Sequence, residues 1–599
     1  MIRQIVILIT LAGAALASSI DAARFQANVR HLASPELRGR GTGTPELEKS
    51  ARFLANEFKK AGIAPAPGAK GYFQRFSVTT NARLGSKNSF AATSAKGTVK
   101  LKAGVDFQPM NFSSSGRARG ELVFAGYGIT APEYGYDDYA GLDVKGKIVL
   151  LVRHEPQEFD ENSVFNGKSQ TRHAQLDSKA VNAKMHGAAG VVFVNDIPNH
   201  IDPDALDRFS RSAGPSHAGI PFVQVTAAAA DNWLALAGTN LKDWIAAVDR
   251  DLKPRSMPIP GLSVDLTADV RRETRQVANV AAYLPGETAE HLIIGAHYDH
   301  LGMGEQSSMA PDLAGKAVHP GADDNASGAA GLIELAHYFK NLPQRKRGVL
   351  FLAFAAEEIG LLGSAHYAAN PLLPLEQAVA MINMDMIGRM KDDRIFVGGT
   401  GTGSTLLATL NEAKTSHGLT VDLSDQGGYG SSDHMSFYIK RVPVLFFFSG
   451  IHNDYHRPSD TWDKINHTAS ARLLNLIGDV GGRLLSSAQR PEYVRLADTR
   501  PQATASASAG GGGAWFGSVP DMSETAGGFR LADVREGSPA QKAGLLPGDL
   551  VIEFAGKPVA SLMEFTYVLR ALKPGDTVQV KWRRGSEVME AAVTLAKRP

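Results

Sequence analysis

Between residues 257 and 485, short apolar runs alternate with stretches of helical period. "HLIIGAHYDHLG" (291–302) predicts a strand and "NASGAAGLIELAHYFKNL" (325–342) a helix. "GVLFLAFA" (348–355) predicts a buried strand, and a further helix starts near Leu361. "QAVAMINMDMIG", "DRIFVGGTG", "STLLATLNEAKTSHG" and "RVPVLFFFSG" continue the alternation. Strands alternating with helices predict an α/β fold, a mostly parallel sheet with helices on both faces. In such sheets ligands bind beyond the carboxyl ends of the strands.

Upstream, "GTGTPELEKSARFLANEFKKAGI" (41–63) is a helix with readable ends. Thr44 suits the N-cap, Pro45 the first turn and Gly62 the close. Leu47, Ala51, Leu54, Phe58 and Ala61 share one face. From residue 117 the texture changes to short β-rich runs, "GELVFAGYGI", "GKIVLLVRHE" and "AAGVVFVND", with a helical "SKAVNAKMHG" before the last. This predicts an α+β module ending near Val225. Its Asp137, Asp138 and His154 match no familiar metal spacing and are expected as solvated loop residues. "FVGGTGTGST" lacks the lysine of a phosphate loop and the spacing of a dinucleotide fingerprint, and is expected as a flexible loop. "TRPQATASASAGGGGA" (499–514) has linker composition, and a small β-rich domain follows it.

A length of 599 residues requires several domains. The formal net charge of +2 provides no basic field for nucleic acid or anionic lipid. The absence of cysteine excludes disulfides, thiolate chemistry and cysteine-type zinc sites, so any metal must be held by histidine and carboxylates. Arg3, the apolar stretch Ile5–Ala15 and the small residues of Ala15-Leu16-Ala17 predict a cleaved signal peptide over 1–17 and a periplasmic or secreted protein. No other stretch reaches the length of a membrane helix, so no stable membrane insertion is expected after cleavage.

Polar groups gather where the predicted strands end: His297-Tyr298-Asp299, Asp323-Asp324-Asn325, Glu357-Glu358, Asn383-Met384-Asp385 and Tyr455-His456. Two zinc ions carry four positive charges, matched by three carboxylates and a bridging hydroxide, with two neutral imidazoles completing the shells. His297, Asp324, Glu358, Asp385 and His456 supply that set, with one carboxylate shared. Glu357 is then free to act as general base. Asp299 can accept the second N–H of His297 and hold the ring. His300, His319, His337 and His434 are expected as structural or loop residues.

The stretches "GAHYDH", "PGADDNASG", "AFAAEEIGLLGS", "NMDMIG", "SSDHMSF" and "YHRPSDT" resemble the zinc aminopeptidase family that also contains glutamate carboxypeptidase and the transferrin receptor. The resemblance implies a two-zinc peptidase acting on peptides with a free N-terminus. It puts His297 with Asp385 on one metal, Glu358 with His456 on the other, Asp324 between them and Glu357 as base. It also implies that Tyr455 steadies the tetrahedral intermediate and that Asp324–Asn325 can be cis. "GYDDYAGLDVKGKIVLL" and "KMHGAAGVVFVND" resemble a protease-associated domain, and "SPAQKAGLLPGDLVIEFAGKPV" a PDZ domain of the bacterial protease type. In the latter, Trp515, Phe516, Gly517 and Ser518 are expected as the carboxylate loop and Phe529 to Val534 as the edge strand, a groove for protein C-termini. The implied organisation is a catalytic domain at 24–116 and 257–485, an insert at 117–256, a linker at 486–513 and a PDZ domain at 514–597. Alternatives are a carboxypeptidase or glutaminyl cyclase on the same fold, or a non-catalytic binding scaffold.

Overall fold

Three neighbouring strands, His291–His297, Gly348–Phe354 and Ala378–Met384, are buried at every position, as continuous apolar runs in a covered parallel sheet should be. The computed structural model describes residues 20–200, 203–209, 217–342, 344–496, 513–521 and 527–598. The signal peptide expected at 1–17 and residues 497–512 of the expected linker lie outside them. The chain forms two units, residues 1–76 with 277–494 and residues 77–276 with 495–599.

The first unit is built on a nine-stranded sheet. Its centre is parallel, in the order Gly348–Phe354, His291–His297, Ala378–Met384, Val444–Phe448. The flanking strands Val270–Leu284 and Arg394–Gly398 pair antiparallel to it. His297 lies opposite Phe354, and Gly295 opposite Asn383. This register brings His297, the Glu357 turn and Asp385 out at one edge. Helix Gly328–Lys340 packs on the three central strands, and helices Ala22–Leu32 and His467–Ser486 pack against it. The Pro45–Lys60 helix is capped as its sequence predicts, with Thr44 Oγ1 accepting from the Leu47 N–H at 3.3 Å. The Gly-rich segment expected to be flexible is instead a bonded turn. The buried Thr402 hydroxyl shares its one proton between Gly399 O at 2.7 Å and Val444 O at 3.0 Å and accepts from Val444 N.

The second unit holds an eight-stranded sheet in which Gly116–Phe124, Ile148–Val152, Gly190–Val194 and Phe222–Val225 run parallel. Strands Ser89–Ser94, Gly97–Leu101 and Met257–Ala268 belong to this sheet, although the sequence assigned them to the catalytic domain. Antiparallel hairpin edges carry no local mark of the sheet they extend, so the expected boundaries at 116 and 257 shift outward.

The C-terminal domain corrects a second expectation. Phe529–Val534 is not an open edge: it pairs with Ser518–Pro520 on one side and with Leu550–Phe554 on the other. The expected carboxylate loop is tied down too. Trp515 pairs with Ala596, Phe516 is buried against Phe554 and Phe565, and Gly517 O accepts from Arg535 N. Ser518 opens the covering strand.

Candidate metal centre

His297 ends its strand with both ring nitrogens facing acceptors. Nε2 lies 3.3 Å from Asp385 Oδ1, 3.4 Å from Asp324 Oδ1 and 3.9 Å from Glu357 Oε2. His456 Nε2 lies 3.2 Å from Asp324 Oδ2 and 3.2 Å from Glu358 Oε2. Asp324 therefore stands between the two imidazoles, one oxygen towards each, and each imidazole has a second carboxylate of its own. Two three-residue groups here can each hold an ion, His297 with Glu357 and Asp385, and His297 with Asp324 and Glu358. Tyr455 stacks on the His456 ring with centroids 3.8 Å apart.

The electrostatics fit added positive charge. Burial alone would lower the His456 pKa, yet Asp324 and Glu358 raise it to about 10. His297 is likewise driven well above its ordinary value, by Glu357, Asp385 and Asp324 against the cost of burial. A divalent cation between the imidazoles would answer the carboxylate charge that drives both shifts. Burial pushes the Glu357 carboxyl well above the usual range, with Glu358 and Asp385 adding to it. Glu358 is buried as well, but His300 and His456 hold it below that range.

Residues 279–480 match Peptidase family M28, residues 118–233 a PA domain and residues 519–595 a PDZ domain. Over residues 279–480, which hold the donors described above, the chain is similar to that peptidase family. It is 25% identical over 405 residues to "Aminopeptidase YwaD" of Bacillus subtilis, a match covering 62% of this chain and 73% of that one. It is 30% identical over 294 residues to "Aminopeptidase" of Pseudomonas aeruginosa, covering 46% of this chain and 45% of that one. The chain thus spans under half the length of the Pseudomonas relative. Among solved structures it is similar to the aminopeptidase from Aneurinibacillus sp. strain AM-1, with TM-score 0.47 and 24% identity over 80% of this chain and 97% of that one.

Within this centre the donors are held by a dense set of partners. The Asp324–Asn325 peptide bond is cis. Asp460 accepts from the Asp323 and Asp324 N–H groups, and Asp323 Oδ1 accepts from Gly388 N. Asn325 donates to Met384 O and accepts from Met386 N, which ties the Asp324 loop to the strand end that carries Asp385. Ser432 Oγ donates to Asp385 Oδ2 at 2.8 Å, and His456 Nδ1 faces Ser307 O at 2.8 Å. Ala356 adopts a left-handed φ of 62° just before Glu357. At Gly321, φ 57°, a Cβ would lie 2.2 Å from Asp324 O and 2.4 Å from the His300 ring, so only glycine lets these loops meet.

Two expectations need correcting. Asp299 does not hold His297 through its carboxylate. The closer contact is from His297 Nδ1 to the Asp299 backbone oxygen, 3.2 Å, against 3.9 Å to Oδ1. That carboxylate instead accepts from Thr42 Oγ1 at 2.8 Å and from Glu357 N at 3.1 Å, so it steadies the turn carrying Glu357. His300, expected as a loop residue, is buried with Nδ1 2.5 Å from Glu358 Oε1. Sequence reasoning also missed three buried residues. They are Ser432, Asp433 and Arg40, whose guanidinium donates to Tyr298 O, Leu32 O, Pro320 O and Gly321 O. Burial raises the Asp433 carboxyl to about 7, and His297 opposes the shift. The "RGRGTGT" run at 38–44 signalled Arg40 only as a charge next to glycines.

Proposed function

We propose that the protein is a zinc-dependent aminopeptidase that holds two zinc ions in this centre and releases N-terminal residues from peptides. The observation that supports this best is Asp324, with one oxygen 3.4 Å from His297 Nε2 and the other 3.2 Å from His456 Nε2. On this reading His297 and Asp385 hold one ion, Glu358 and His456 the other, and Asp324 is shared. Zinc, when bound, supplies charge that polarises a peptide carbonyl and acidifies water.

The chain's own residues supply the rest. Glu357 takes a proton from the water as its oxygen bonds to the carbonyl carbon, and returns it to the amine as the C–N bond breaks. Burial suits it to carrying that proton. Tyr455, its phenol driven far above its usual value by burial and the surrounding carboxylates, stays protonated and donates to the oxygen that gains charge. The carboxylates around the centre attract a free α-ammonium, which restricts cleavage to the N-terminal residue. Export belongs to the same proposal and rests on the leader pattern Arg3, Ile5–Ala15 and Ala15-Leu16-Ala17. Among the described residues no helix is long and apolar enough to cross a membrane.

The test compares a free-amine peptide with its N-acetylated twin, with and without chelator. Hydrolysis of the free-amine peptide alone, lost with chelator and restored by zinc, is the expected result. Equal cleavage of the twins rules out an aminopeptidase. Metal analysis then checks for two zinc ions in this centre, and N-terminal sequencing of the mature protein checks leader removal.

A further inference from the structure

The second unit contains another set of donors, outside the peptidase centre. His154, Glu158, Asp196 and His200 each present one ligand-type atom, all within 4.8 Å of one another. They leave the carboxyl ends of two neighbouring parallel strands, Ile148–Val152 and Gly190–Val194, whose last paired residues are Val152 and Val194. His154 and Asp196 stand two positions beyond that pair, and Glu158 and His200 six positions beyond it. Each strand therefore delivers one imidazole and one carboxylate to the same point, on the side of a parallel sheet where ligands are bound.

The contacts are those of a gathered donor set. His200 Nε2 lies 2.9 Å and His154 Nδ1 3.3 Å from Glu158 Oε2, and the two imidazole centroids are 4.6 Å apart. Four ligands at zinc distances of about 2.0–2.1 Å stand roughly 3.3 Å from each other in a tetrahedron, so these separations need little adjustment. Outer partners already orient both carboxylates: Gln170 Nε2 donates to Glu158 Oε1, and Asn199 Nδ2 to Asp196 Oδ2, each at 2.9 Å.

What the set lacks is a partner at its centre. Asp196 is 1% exposed, yet its Oδ1 has no hydrogen bond, and neither does His154 Nδ1. The neighbouring cation is engaged elsewhere, since Arg153 donates to Asn195 and Asp207. A buried carboxylate with an idle oxygen is costly in a folded chain unless something positive completes it.

We propose that His154, Glu158, Asp196 and His200 form a divalent transition-metal site in the inserted domain, with zinc the fitting ion. Two carboxylates neutralise one divalent ion, and two imidazoles with two carboxylates are a nitrogen–oxygen set that zinc accepts. With four protein ligands the shell is closed, so the ion joins the two loops and takes no part in hydrolysis. The proposal does not rest on the peptidase reading.

The full-length chain, stripped with chelator and reloaded with zinc alone, carries the test. The double variant His154→Ala, His200→Ala is expected to retain about one zinc ion fewer per chain than the wild type and to hydrolyse peptide at the wild-type rate. Cobalt loading is expected to give a tetrahedral-type visible spectrum that weakens in the double variant and persists in a Glu358→Ala variant. If the double variant does not fold, His200→Gln alone serves, because that ring is 27% exposed. It is expected to weaken the last zinc equivalent at least tenfold in a chelator competition. Unchanged zinc content together with unchanged competition in His200→Gln would overturn the proposal and leave an ion-paired histidine–glutamate cluster.

Discussion

The donor clusters of the two units share a plan and differ in how their carboxylates are engaged. Both lie past the carboxyl ends of adjacent parallel strands, and both mix imidazole with carboxylate. In the peptidase centre each carboxylate has a dedicated second partner: Ser432 for Asp385, His300 for Glu358, and the Asp460-bound loop for Asp324. One acid, Glu357, stands 3.9 Å from His297 Nε2, farther than Asp385 at 3.3 Å or Asp324 at 3.4 Å. In the inserted domain Gln170 and Asn199 likewise support Glu158 and Asp196, but the four donors converge on one point and Asp196 keeps an idle oxygen. An open, reactive centre needs a spare acid, whereas a closed site turns every donor to the ion.

The buried cations differ in the same way. Arg40 spends its guanidinium on four backbone carbonyls beneath the peptidase loops, and burial lowers its pKa only to about 10. Lys179 in the inserted domain donates to Tyr127 O, and burial lowers its amine to about 7. The first unit has a permanent charge near its acids, and the second has one that titrates.

Substitutions sharpen this contrast. Glu357→Gln should reduce kcat by about 10²–10⁴-fold with zinc content unchanged, measured by steady-state kinetics and metal analysis. Activity near that of the wild type would remove the distinction between the spare acid and the ligands. Arg40→Met should destabilise the first unit by roughly 3–5 kcal/mol in denaturant unfolding, because four carbonyls lose their donor. Ser432→Ala should weaken zinc retention in the peptidase centre by about 10–100-fold in chelator competition while leaving the His154 cluster alone. Equal loss at both clusters would mean a general effect on folding.

The smallest effect concerns pH. Between the folded pKa of Lys179, about 7, and its higher unfolded value, the unfolded chain binds more protons. Stability therefore rises with pH across that window. Lys179→Met should flatten the rise in a series of thermal melts, and an unchanged slope would assign it to other groups.

Part of the candidate centre was legible because His297 and Asp385 each directly follow an apolar run that forms a covered strand. His297 after "LIIGA" and Asp385 after "AMINM" needed nothing more than the rule that α/β sheets bind ligands at their carboxyl ends. The role of His300 was not legible. Its sequence neighbours do not indicate that its ring turns back to Glu358. His154 was misjudged for the same reason, since Asp196 and His200 follow a different strand. The PDZ edge was misjudged because a strand's outer neighbour, here Ser518–Pro520, is chosen by the chain's return path.

By itself the sequence determined what is local: the periods of strand and helix, the caps, the absence of thiol ligands, and the acids and imidazoles at strand ends. Tertiary structure alone decided which ends meet. Strand register set His297 level with Phe354 and Val152 level with Val194, and that alignment converts scattered side chains into two separate clusters. The reason is physical: periodicity is enforced by bonds between near neighbours, whereas pairing and convergence depend on contacts between segments far apart in the chain.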